Sequence, residues 1–153
     1  VIRPYLTVLT EFWGKDDRRA FFNTLKRISA VIAGLTVLAV GGTLCLGKWV
    51  LSVMEQIMGG DPGVLTAHFW AFTGIVLGGG FYAFANLMYY ALVIMRRQKT
   101  VFFVYGAGAL AAAVLSGALV GAFGIGGGAL CYLFLMAGLC AGFGICTAIG
   151  LKK

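Results

Sequence analysis

The sequence predicts an all-α, polytopic membrane protein with four transmembrane helices, a preceding helix end and a short interfacial helix. Three observations predict it. Apolar residues make up 61% of the 153-residue chain and charged residues only 11%, against about 25% charge in a soluble domain; mean hydropathy is +0.96. The apolar residues come in runs long enough to cross a hydrocarbon core of about 30 Å. With only two prolines in the chain, those runs read as helices rather than barrel strands. The basic residues lie between the runs and not inside them. Disorder and coiled coil both need far more charge, and the 24 glycines show no collagen period. A net charge of +7 on a soluble protein would suggest a nucleic-acid partner. Here the charge sits in short loops, where it suits anionic membrane lipid, and no nucleic acid is expected.

Taken in order, Val1 to Trp13 reads as the end of an apolar helix, with Pro4 near a break. The chain begins with Val1 and has no signal peptide pattern, so it is expected to be a piece of a longer protein. Gly14 to Asp17 is a turn, and Asp16 or Asp17 can cap the next helix. That helix starts amphipathic, with Arg18, Arg19, Lys26 and Arg27 among Phe21, Phe22 and Leu25, and becomes the first span over 28–46. From Gly47 to Pro62 a connection is expected. Within it Trp49, Val50, Val53, Met54, Ile57 and Met58 recur at helical spacing, the pattern of a short helix lying along the interface. The second span covers 64–95, about 48 Å at 1.5 Å per residue, so it must tilt or bend. Gly78-Gly79-Gly80 is the expected bend. The third span is 101–123, the turn Gly124–Gly128, and the fourth span 129–151.

The loop charges test this count. Lys15, Arg18, Arg19, Lys26 and Arg27 precede the first span; Arg96, Arg97 and Lys99 follow the second; Lys152 and Lys153 follow the fourth. The two other connections carry only Lys48. Ten basic residues on one side and one on the other predict that both ends of the four-span unit are cytoplasmic. Aromatic placement agrees, with Trp49, Phe69 and Trp70 at the outer edge and Tyr89, Tyr90, Phe102, Phe103 and Tyr105 toward the inner one.

No Asp, Glu, Lys or Arg lies in the middle of any predicted span. Such residues are the usual mark of a proton relay or an intramembrane active site, so no enzyme is expected. Cys45, Cys131, Cys140 and Cys146 sit in apolar runs with no CxxC and one histidine in the chain. They read as small buried hydrophobes, with no metal or other cofactor. The candidate site is a polar arc on the second span. Tyr82 and Tyr89 lie about 20° apart on a helical wheel and Asn86 about 40° to the other side of Tyr82, with His68 at the angle of Asn86 if the helix is straight. The arc reads either as hydrogen bonding between helices or as the lining of a polar substrate path. His68, the only histidine, reads as an interfacial residue or as a polar group facing a water-filled cavity. Gly117-x-x-x-Gly121 and Gly138-x-x-x-Gly142 predict close packing of the third and fourth spans.

The order of parts resembles a known family. Arg3-Pro4-Tyr5-Leu6 leads to Gly14-Lys15-Asp16-Asp17, then to the basic stretch Arg18–Arg27, to Gly47-Lys48-Trp49-Val50-Leu51, to Gln98-Lys99-Thr100, and to Gly124-Ile125-Gly126-Gly127-Gly128-Ala129-Leu130. This resembles the C-terminal part of polysaccharide biosynthesis proteins, the lipid-linked oligosaccharide (O-antigen type) flippases of the multidrug/oligosaccharidyl-lipid/polysaccharide exporter superfamily. The resemblance implies helices nine to twelve of a two-lobed transporter in the bacterial cytoplasmic membrane. The implied partners are membrane lipids, an undecaprenyl-linked oligosaccharide and an N-terminal lobe that lies outside this chain. His68, Tyr82, Asn86 and Tyr89 would then lie along the substrate path. The cationic groups such flippases use for an anionic diphosphate are absent at mid-depth in this sequence. A drug or metabolite antiporter or a lipid II flippase of the same superfamily, and a four-helix membrane subunit that scaffolds a partner, are the other readings.

Overall fold

A computed structural model describes residues 10–15, 17–59 and 63–152. Among them the regular elements are all helices: α1 (Arg18–Met58), α2 (Val64–Ala67), α3 (Phe69–Ile94) and α4 (Gln98–Lys152), preceded by helical residues 10–14. Residues 1–9 of the expected helix end, Asp16, and residues 60–62 lie outside the described residues. Three helices are long and apolar enough to cross a membrane, over Arg19–Met58, Phe69–Ile94 and Gln98–Gly150.

Helix α1 starts where a capping side chain permits it. The Asp17 carboxylate accepts a hydrogen bond from the Ala20 N–H at 3.1 Å, satisfying one of the four N–H groups that a helix start leaves free. The helix ends 41 residues later at Gly59, whose φ of 64° is left-handed, a conformation that glycine adopts without steric cost. Between these points it is continuous through Gly47 and Lys48. The separate interfacial helix expected after Gly47 is therefore corrected: residues 49–58 extend α1. A single glycine costs a helix interior only about 1 kcal/mol, and Gly47 is seated against Phe69, whose ring an added Cβ would meet at 2.8 Å.

The segment expected as one helix over 64–95 is divided, and α3 is continuous through Gly78–Gly80. The break falls at His68 (φ −98°, ψ 22°), between α2 and α3. The middle glycines are used for contact instead: a Cβ on Gly78 would strike Tyr132, and one on Gly80 would strike Thr36.

Helix α4 folds back on itself at Gly124 (φ 56°, ψ −130°). A Cβ added to Gly127 would collide with the Leu119 carbonyl, one on Gly108 would lie 2.9 Å from Leu139, and one on Gly142 would lie 3.2 Å from Val104. These pairs place 104 by 142, 108 by 139 and 119 by 127, so the arms over 98–123 and 125–152 run antiparallel from a turn where the sequence predicts one. The contacts that bring them close are at Gly108, Gly127 and Gly142. Gly117, Gly121 and Gly138 have nothing within 4 Å of an added Cβ. The expected small-residue motifs thus account for the pairing at Gly142 alone, and a gap of about 310 Å³ remains between the arms.

The core lies toward one end of the bundle. Phe21, Leu25, Ile28 and Ile32 of α1 pack with Ala85, Leu87, Ala91, Leu92 and Met95 and with Phe143 of α4. Phe21, Leu92 and Phe143 are fully buried. This packing makes α1 antiparallel to α3 and sets the second arm of α4 beside α3. Polar side chains within the helices are turned inward on their own backbone: the hydroxyls of Thr36, Thr43, Thr73 and Thr147 donate to the carbonyls of Ile32, Ala39, Phe69 and Phe143. A hydroxyl satisfied in this way can face hydrocarbon cheaply.

Candidate functional site

Beside the α1–α3 contact, where Gly80 packs against Thr36, the two helices line an open cleft of about 740 Å³. Its walls are apolar, with Ile28, Val31, Ile32 and Leu35 on α1 facing Val76, Gly79, Gly80 and Ala83 on α3, and Phe12 at one end. The cleft exists because the α3 wall is made of small residues; nothing lies within 4 Å of a Cβ added to Gly79. Three polar side chains line it: Thr24, Arg27 and Thr36. The Thr36 hydroxyl is spent on the Ile32 carbonyl at 2.8 Å. Thr24 and Arg27 make no hydrogen bond or ion pair among the described residues.

Thr24 and Arg27 belong to a basic end. The N-terminal part of α1, the α3–α4 loop and the C-terminal end of α4 converge there. A Cβ on Gly150 would lie 3.2 Å from Met95 Sδ and 3.6 Å from Arg97 Nε, which ties the loop to the last turns of α4. The loop itself is a two-bond helix stop. Arg97 N–H donates to the Leu92 carbonyl and Arg96 N–H to the Val93 carbonyl, each at 3.0 Å. This is the Schellman pattern, which places a left-handed residue just after the helix. Here that residue is Arg96, at φ 56°, where glycine would be unstrained.

The predicted polar arc is not gathered into one site. His68 sits at the α2–α3 break, with Nδ1 3.0 Å from the Val64 carbonyl. Tyr82 is 51% exposed. Asn86 is half-buried and makes no hydrogen bond among the described residues. Tyr89 joins an aromatic cluster, with ring centroids 5.3 Å from Tyr90, 6.0 Å from Tyr105 and 6.4 Å from Phe143. None of the four lines the cleft, which uses the neighbouring face of α3. The cysteines are free thiols, Cys131 buried and Cys45 exposed.

At the opposite end one residue that sequence reasoning passed over organises the chain. The Glu55 carboxylate, 7% exposed, accepts from the N–H groups of Gly63 at 3.1 Å, Leu65 at 2.6 Å and Thr66 at 3.0 Å. Gly63 stands at the N-cap of α2 and offers no side chain. The preceding helix supplies the missing cap from eight to eleven positions back. The signal was present in the sequence as an uncapped helix start, Gly63-Val64, with an acid on the helix before it.

Family models, curated proteins and solved structures were compared with the chain, and none matches.

Proposed function

We propose that the chain is part of a four-span membrane transporter that moves lipid-linked oligosaccharide across the bacterial cytoplasmic membrane. In this reading the spans are α1, the α2–α3 segment and the two arms of α4, and the basic end faces the cytoplasm. The observation that carries it is a set of helices long and apolar enough to cross a membrane, with the basic residues gathered at one end. A flippase must shield a polar head group while the lipid tail stays in the bilayer, and rigid helix bundles rocking against one another can do that. The order of sequence motifs supports the same family. The N-terminal lobe and an undecaprenyl-linked oligosaccharide are the proposed partners. His68, Tyr82, Asn86 and Tyr89 are the proposed contacts along the path; Asn86 carries most weight because its amide makes no hydrogen bond among the described residues.

Deletion of the gene should abolish surface polysaccharide while its lipid-linked precursor accumulates on the inner leaflet. Asn86→Leu should reduce export with expression and insertion intact. Unchanged surface polysaccharide in the deletion strain would refute the transport reading. The scaffold reading is favoured by one observation, the lack of any ionisable side chain at mid-depth in the predicted spans; it predicts that Asn86→Leu alters only stability.

A further inference from the structure

We propose that the cleft between α1 and α3 holds one acyl chain of an acidic phospholipid, with the lipid phosphodiester seated on Arg27 and Thr24. This goes beyond the transport reading and does not depend on it.

Three observations converge. The first is polarity: the cleft is hydrocarbon-like along its length and polar at the basic end, where Thr24 and Arg27 lie. That is the polarity of a lipid with its head at the interface. The second is length. From Arg27 to Ala39, the far lining residue on α1, is 12 positions, or about 18 Å along a helix. One leaflet of a hydrocarbon core about 30 Å thick is about 15 Å deep. The lining therefore reaches from the interface to mid-bilayer and matches a chain of one leaflet.

The third is charge. Arg27 has no carboxylate partner among the described residues, where the ion pair formed is Lys15–Glu11. The Thr24 hydroxyl also makes no hydrogen bond among the described residues, whereas Thr36, Thr43, Thr73 and Thr147 turn theirs onto their own helices. One guanidinium and one hydroxyl match a phosphodiester, which carries a single negative charge and several acceptor oxygens. A diphosphate carries more charge than this pair can neutralise. Two small residues make room for the chain: Gly79, with open space at its Cβ position, and Ala83.

The test is native mass spectrometry of the full chain in a mild detergent, titrated with phosphatidylglycerol and with phosphatidylcholine. Phosphatidylglycerol should be retained at one per chain, and Arg27→Gln should weaken it about fivefold, the effect of one basic residue near an anionic leaflet. Gly79→Leu, which fills the cleft and leaves Arg27 in place, should weaken both lipids. Arg19→Gln, a change at the same end outside the lining, should leave the cleft-bound lipid in place. Melting in lipid-free detergent checks that each variant folds; if Arg27→Gln does not, Gly79→Leu decides alone. Retention of phosphatidylglycerol unchanged by both variants would overturn the assignment. So would tighter retention of undecaprenyl diphosphate that is lost in Arg27→Gln, which would make the cleft a substrate site and strengthen the transport reading. Loss of export with normal phospholipid retention would leave this assignment standing.

Discussion

The two ends of the bundle are held together by opposite means. At the basic end Arg19, Lys26, Arg27, Arg96 and Lys99 are exposed and apolar packing does the joining: Phe21, Leu92 and Phe143 are fully buried there, and Trp13, Tyr89 and Tyr105 pack around them. At the other end large side chains are largely exposed, Trp49 at 67% and Trp70 at 76%, and one carboxylate gathers three backbone N–H groups. The difference follows from what each end has to spare. Where four chain segments meet, side chains can interdigitate, and their charges remain free for lipid phosphate. Where α1 and α2 meet, Gly59 and Gly63 offer no side chain, and the Glu55 carboxylate accepts across the connection. Packing spread over many contacts weakens gradually; a single acceptor fails all at once.

The largest expected effect is at the packed end. Phe143→Ala should destabilise the bundle by about 3–5 kcal/mol, the range for deleting a buried aromatic ring, measured by reversible unfolding in mixed micelles. Phe102→Ala removes the same ring from a position 75% exposed and should change stability by less than about 0.5 kcal/mol. Equal effects would mean that the apparent core is not where the helices are joined.

The Glu55 end should fail locally. Glu55→Ala leaves the Gly63, Leu65 and Thr66 N–H groups without their acceptor, so hydrogen exchange at those amides should rise at least about tenfold, with protection in α4 unchanged. Glu55→Gln keeps an acceptor oxygen and should give a smaller rise.

The smallest effect concerns the basic loop. Arg96→Gly relieves a left-handed residue and should stabilise the helix stop by up to about 1 kcal/mol. A loss of stability would show that the Arg96 side chain contributes more than its backbone strain costs.

Much of this architecture was legible because chemistry punctuates it. Asp17 caps α1, Gly59 ends it, the charges at 96–99 mark the loop between α3 and α4, and Gly124 makes the turn. What escaped depends on partners distant in sequence. Gly47 reads as a helix end, yet the Phe69 ring packed on it keeps α1 continuous. Nothing local to Gly78 and Gly80 says that Tyr132 and Thr36 occupy the space those glycines leave. The Glu55 cap spans two helices and falls outside the local capping spacing of three residues. For the polar arc, periodicity gave the common side of α3 but could not say that Tyr89 packs into an aromatic cluster while Tyr82 stays exposed.

The central claim is that the helices form four spans with the basic end inside. Reporter fusions after Lys99, after Lys153, near Asp61 and at Gly124 test it in one experiment. The fusions after Lys99 and Lys153 are predicted to read cytoplasmic, and those near Asp61 and at Gly124 external. A cytoplasmic signal near Asp61 or at Gly124 would contradict the four-span arrangement.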